Sequence, residues 1–174
     1  MSSFASRAKR HTGAVGSAQT LGLTSMRRVA TLLFLTLLAG CADFQAGPIS
    51  KAIGREVREH DARRIELAKL TTFEWDEVFL FEPYTPRSAV CDTLGVQAKY
   101  CERVVRAEST DDGEMIIAFR KAGRVTHAEL HFRFNGDFMP WESSRPIPRS
   151  KAVFRVTGEG AAYSGKVWFK LVPE

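Results

Sequence analysis

Arg124-Val-Thr-His-Ala-Glu-Leu-His-Phe-Arg-Phe134 decides the fold class. Ala128, Leu130, Phe132 and Phe134 fall on one face of an extended chain. Val125, His127, Glu129, His131 and Arg133 fall on the other. Strand side chains alternate between faces, so apolar against polar at every second position predicts a half-buried antiparallel strand. The polar set is then expected to face water.

Working outward, Lys121-Ala122-Gly123 is a turn signal, and residues 114–119 before it read as a strand with Ile117 and Phe119 on one side. Asn135-Gly136 marks the other end. Residues 137–150 carry Pro140, Pro146 and Pro148 and predict a long loop. Residues 152–157 and 163–172 read as two further strands joined by Gly158-Glu159-Gly160, with Phe154, Val156, Val167, Phe169 and Leu171 in the core.

Upstream, Trp75-Asp-Glu-Val-Phe-Leu-Phe81 is apolar on both faces: Trp75, Glu77, Phe79 and Phe81 on one, Asp76, Val78 and Leu80 on the other. That pattern predicts a central strand covered on both sides, ended by Pro83. In Pro83-Tyr84-Thr85-Pro86, Thr85 is a candidate N-cap and Pro86 a first helical residue. A short helix over 88–94, with Ala89, Val90 and Leu94 inward, is stopped by Gly95. Residues 96–110 fit either helix or loop and strand. Pro48 opens a predicted helix over 48–60, with Ile49, Ile53, Val57 and His60 on one stripe; a solvated linker helix is the alternative. Residues 65–67 fit a short strand and turn or a single helical turn. The whole predicts α+β: an N-terminal helix plus a mainly antiparallel β-sheet in a single small domain over 48–174.

The N-terminal part has a different grammar. Arg27 and Arg28 precede an apolar run from Val29 to Leu38, and Ala39-Gly40 lead into Cys41. The run is shorter than the roughly 20 residues a spanning helix needs. Basic flank, short apolar run and small residues make the three-part build of a secretory signal over 26–40. Leu38-Ala39-Gly40-Cys41 resembles the lipobox of bacterial lipoproteins. That resemblance implies lipidation of Cys41, cleavage before it, a short tether over 41–47, and anchoring at the periplasmic face of the outer membrane of a Gram-negative cell, because Ala42 rather than Asp follows the cysteine. The Arg27-Arg28 pair also meets the twin-arginine dipeptide. Residues 1–25, rich in Ser, Ala, Gly and Thr, cannot bury a core and read as an over-extended gene start or a disordered leader.

The leader also carries the charge. The chain has 25 Lys and Arg against 20 Asp and Glu. Arg7, Lys9, Arg10, Arg27 and Arg28 lie before Cys41, where there is no acid, which leaves 20 of each sign in the rest. Nucleic-acid binding, which needs a basic face to displace counterions, loses its support. Cys91 and Cys101 are the two cysteines besides Cys41. In an oxidising compartment an even pair predicts a disulfide, worth about 2.5–3 kcal/mol on the loop-entropy model. Two separate thiols are the alternative, and the spacing is not that of a zinc site.

Trp75-Asp76-x-Val78-x-x-Phe81-x-Pro83-Tyr84-Thr85 resembles a recurrent segment of small, functionally uncharacterised bacterial lipoproteins and secreted proteins. The likeness spans residues 65–95 and implies no activity. Two assignments of these residues compete. Asp76, Tyr84 and Thr85 form the lip of a ligand groove, with Asp76 accepting hydrogen bonds from the turn; or they form a structural corner.

His127, Glu129 and His131 make the one metal-like constellation. Neighbours two apart sit about 7 Å from one another along a strand, and the two histidines about 13 Å, so a third ligand such as His60 or Asp137 would be needed. No standard metal, phosphate-loop, serine-elbow or cofactor motif is present, and Asp111-Asp112-Gly113 is too short for a calcium loop. Two function classes follow. One is a non-catalytic binding or scaffold module that contacts an envelope protein or cell-wall material. The other is an envelope hydrolase or metal-dependent enzyme that uses the His127, Glu129 and His131 face.

Overall fold

The computed structural model describes residues 46–139, 145–161 and 167–174. The chain divides into two units, Met1–Ala42 and Asp43–Glu174, and all the described residues belong to the second. The expected leader, signal segment and Cys41, and most of the expected tether, lie outside the described residues. Among the described residues no helix is long and apolar enough to cross a membrane.

The described domain is α+β. In chain order its helices are α1 (Pro48–Arg58), α2 (Leu67–Leu70), α3 (Arg87–Leu94) and α4 (Cys101–Val104). Its strands are β1 (Arg64–Glu66), β2 (Glu77–Phe81), β3 (Glu114–Lys121), β4 (Arg124–Phe132), β5 (Asp137–Phe138), β6 (Ile147–Pro148), β7 (Val153–Ala161) and β8 (Val167–Pro173). They form two four-stranded sheets, ordered β1-β7-β8-β5 and β4-β3-β2-β6. Every pairing is antiparallel except β5 with β8.

Two apolar clusters explain the layering. The first joins Ile65, Phe138, Phe154 and Leu171 of one sheet to Val78, Leu80, Met115, Ile117 and Phe119 of the other, with Ile49, Ile53 and Val57 of α1 and the ring of Trp75. The second lies on the opposite face of the β4-β3-β2-β6 sheet, where Phe79, Phe81, Ile116, Ala118 and Leu130 pack against Val90, Cys91, Leu94, Cys101 and Val105. β2 and β3 are therefore covered on both sides, as their doubly apolar sequences require.

Local chemistry sets the element ends. Pro48 begins α1 with the backbone angle a helix needs. Its stripe of Ile49, Ile53 and Val57 is buried, so α1 is a core helix, worth about 2 kcal/mol per side chain. His60 falls beyond its end and is exposed. Residues 65–70 resolve into strand followed by one helical turn. Gly95 stops α3 in the left-handed conformation, φ 71°. Ala122 and Gly123, φ 46° and 77°, link β3 to β4 by the two-residue turn whose twist suits a hairpin.

Several side chains depart from the sequence pattern. Trp75 precedes β2 and packs in the first cluster, while Phe79 and Phe81 enter the second. Pro86, not Thr85, is the N-cap of α3, and the Thr85 hydroxyl donates to the carbonyl of Glu82 at 2.7 Å. Ala89 is exposed; Cys91 takes the inward position beside Val90 and Leu94. The strand through Gly158-Glu159-Gly160 is continuous, so those residues extend β7 rather than end it. Val167 is 45% exposed and leaves the core. Residues 96–105 fold as a 3-10 turn (Ala98–Tyr100) running into α4. Part of the loop predicted over 137–150 is strand, because β5 and β6 each add two residues to a sheet edge.

Candidate functional site

The polar face of β4 is not wet. Directly opposite it, His127 pairs with Phe119, Glu129 with Ile117 and His131 with Met115. Those partners belong to the first cluster, so this face points at the main core. Val125 sits with the other face, against the second cluster, because an irregularity between Phe119 and Arg120 leaves Thr126 as an extra residue and inverts the alternation. β4 is an edge strand, and α1 lies along its edge: the amide of Gly47 donates to the Leu130 carbonyl at 2.9 Å, and the Phe132 amide donates to Ser50 Oγ at 3.0 Å.

This packing buries Glu129, and its carboxylate is occupied. Oε1 accepts the Ser50 amide at 2.7 Å and Oε2 the Ile49 amide at 3.3 Å. A helix start leaves such amides unpaired and carries partial positive charge. Gly47, at the N-cap, has no side chain to offer; Glu129, some 80 residues away, caps α1 in its place. A Cβ on Gly47 would lie 2.2 Å from Glu129 Cδ, so glycine is what permits the approach. His127 Nε2 lies 2.6 Å from Glu129 Oε2, within hydrogen-bond distance. The His127 ring also packs on Phe73, 5.0 Å between centroids.

His131 is fully buried. Its Nε2–H donates to the Gly136 carbonyl at 2.7 Å, and its Nδ1 has no hydrogen-bond partner. Burial pushes the imidazole down to about 4, against the opposing pull of the Gly136 carbonyl, Glu129 and Asp137. At neutral pH the ring is uncharged. Asp137 is also buried, held by Arg133 at 2.8 and 2.9 Å and by the indole N–H of Trp168 at 2.9 Å. Among the described residues no group of three His, Cys, Asp or Glu is placed to share a metal ion. His127, Glu129 and His131 share a face, but their polar atoms face a helix end and a backbone carbonyl. His60 pairs with Glu56 on α1, 3.1 Å away.

The other candidates are divided between the two ends of β2. Asp76 precedes the strand. Its carboxylate accepts the Ala122 amide of the β3–β4 turn at 2.8 Å, not the Tyr84–Thr85 turn. Its backbone bonds to Arg120 and Arg149. Tyr84 and Thr85 follow the strand, beyond its other end, and the five-residue strand alone spans about 16 Å at 3.3 Å per residue. Tyr84 is 60% exposed and has φ 62°, a left-handed backbone unusual for a residue with a side chain. Its amide donates to Ser109 Oγ at 3.1 Å, and the buried Ser109 hydroxyl donates to the Glu114 carbonyl at 2.9 Å. The aromatic ring is thus presented outward on a turn whose backbone is tied down.

Cys91 and Cys101 are bonded, with Sγ atoms 2.02 Å apart, and clip α3 to α4 over the second cluster. Sequence reasoning missed the capping role of Glu129. One signal was available: a helix opening on Gly47-Pro48 without Ser, Thr, Asp or Asn needs an acceptor from elsewhere.

No protein-family model, curated protein sequence or solved structure matches this chain.

Proposed function

We propose that the protein is a lipid-anchored component of the bacterial cell envelope that works by binding a partner rather than by catalysis. The anchoring rests on Leu38-Ala39-Gly40-Cys41 and the basic and apolar run before it. The observation that carries the binding role is Tyr84: a tyrosine 60% exposed, between Pro83 and Pro86, on a backbone pinned to Ser109. A rigid turn that presents an aromatic side chain loses little entropy on contact, so its apolar area converts efficiently to affinity. Thr85 is its neighbour on that turn. Asp76 is not, so the proposed contact surface is Tyr84 and Thr85 alone. The partner is an envelope protein or cell-wall material.

The enzymatic alternative draws no support from the His127, Glu129 and His131 face, whose carboxylate serves the α1 terminus.

A photo-crosslinking residue placed at position 84, and separately at position 76, tests the proposal in intact envelopes. Adducts are expected from 84 and not from 76, in the membrane fraction, and Cys41→Ser should release them from that fraction. Equal adducts at both positions, or none at 84, would refute the binding role; unchanged membrane partition of Cys41→Ser would refute the anchor.

A further inference from the structure

The disulfide belongs wholly to one layer. Both cysteines sit in the second cluster, and neither contributes to the first. The α3–α4 segment that covers this cluster consists of an eight-residue helix, a 3-10 turn and a four-residue helix. Elements this short are not stable alone. They are held by the apolar contact with Phe79, Phe81 and Ile116, a bond from Arg120 to the Leu94 carbonyl, bonds from Arg87 to Glu108 and the Arg106 carbonyl, and the Cys91–Cys101 link itself.

The link is also approachable. A surface cavity of about 320 Å³ has Cys91 and Cys101 in its wall, together with Arg87, Asp92, Glu102 and Glu108. Cys101 is the more exposed sulfur residue, at 8% against 1% for Cys91. Arg87 lies one helical turn before Cys91, its Nε is buried with no hydrogen-bond partner, and its carbonyl is 3.4 Å from Cys101 Sγ. Its guanidinium faces Glu102 and Glu108, 3.8 and 3.5 Å away, across the same cavity.

We propose that the Cys91–Cys101 disulfide is a thiol-addressable latch, whose reduction through this cavity frees the α3–α4 layer from the sheet while the core between the two sheets stays folded. The chemistry is ordinary thiol–disulfide exchange with a small thiol or a dithiol protein as reductant. A thiolate attacks Cys101 Sγ, the Sγ–Sγ bond breaks, and Cys91 leaves as a thiolate that takes a proton. A second thiolate attacks the reductant's sulfur in the mixed disulfide and releases Cys101. The two electrons come from two reductant thiols, which end as a disulfide. The freed layer uncovers Phe79, Phe81, Ile116 and Leu130, an apolar face available only in the reduced state.

Hydrogen exchange on the full chain, before and after treatment with dithiothreitol without denaturant, tests this. Removing the closure of a ring of about ten residues raises the opening equilibrium roughly 100-fold. Amides of residues 88–105 should exchange about 100-fold faster in the reduced protein, while those of α1, β7 and β8 change by less than about 3-fold. The Cys91→Ala, Cys101→Ala double variant should reproduce the reduced pattern. Faster exchange throughout the domain would overturn the proposal, since the bridge would then support the whole fold. No change in 88–105, or no reduction without denaturant, would overturn it equally. The acidic rim gives a second readout: per thiolate, cysteamine should reduce the protein faster than 2-mercaptoethanesulfonate. Equal rates would remove the cavity as the route.

Discussion

Glu129 Oε1 stands 2.7 Å from the amide nitrogen of Ser50, so a side chain on an edge strand caps the first helix from 79 residues away. The contact binds α1 to the sheet, and it uses the carboxylate that made the polar face of β4 look chemical. With Gly47 on Leu130 and Ser50 on Phe132, it also closes the open edge of β4 that would otherwise invite another strand.

Removing the cap should therefore cost stability. Glu129→Ala leaves two amides at the α1 start without partners and should lower unfolding free energy by about 2–3 kcal/mol in urea titrations. Gly47→Ala should also destabilise, because its Cβ meets Glu129. In the Glu129→Ala background the cost of Gly47→Ala should shrink, and a double-mutant cycle reads the difference. Additive costs would show that the two residues do not meet.

Trp75 and Tyr84 flank the same strand and should behave oppositely. Trp75 is fully buried, with its indole N–H on Thr71 Oγ1 at 2.8 Å; Trp75→Ala should cost about 3–5 kcal/mol. Tyr84→Ala should change stability by less than about 0.5 kcal/mol, and Tyr84→Gly should raise it by about 0.5–1 kcal/mol by relieving the left-handed backbone. Thermal melts of the three variants separate these outcomes. If Tyr84→Ala unfolds the domain, the turn is structural.

The buried His131 sets a pH dependence. Its folded value near 4 lies below the unfolded value of about 6.5, so the unfolded chain binds the extra proton first. The stabilisation is complete above pH 6.5 and is lost as pH falls from 6.5 towards 4, to a total of about 3 kcal/mol. His131→Gln, which retains an N–H for the Gly136 carbonyl, should flatten the stability profile in that window. Urea midpoints at pH 7, 5 and 4 measure it; an unchanged slope would assign the effect to other groups.

Asp137 offers a fourth check. It takes two bonds from Arg133 and one from Trp168 while buried. Asp137→Ala takes the buried carboxylate away from the Arg133 guanidinium and the Trp168 indole and should cost about 3 kcal/mol, with a changed Trp168 fluorescence in the folded state. Asp137→Asn, which keeps an acceptor for the indole, should cost less.

Where chemistry is local, the sequence carried the structure. Pro48 starting α1, Gly95 ending α3, Ala122-Gly123 turning β3 into β4, and the doubly apolar β2 were all legible, because each depends on one backbone conformation or one alternation pattern. The Cys91–Cys101 bond was legible from parity. What only the tertiary structure decided is which surface each face meets. Alternation placed His127, Glu129 and His131 together but could not say that the start of α1 meets Glu129, Phe73 meets His127 and Phe138 meets His131, since burial belongs to the pair of elements and not to either alone. A single extra residue, Thr126, moved Val125 to the other face, and a bulge depends on register with β3 rather than on β4 alone. Asp76 and Tyr84 lie eight residues apart in a motif and at opposite ends of a strand, because an extended chain separates what sequence writes side by side.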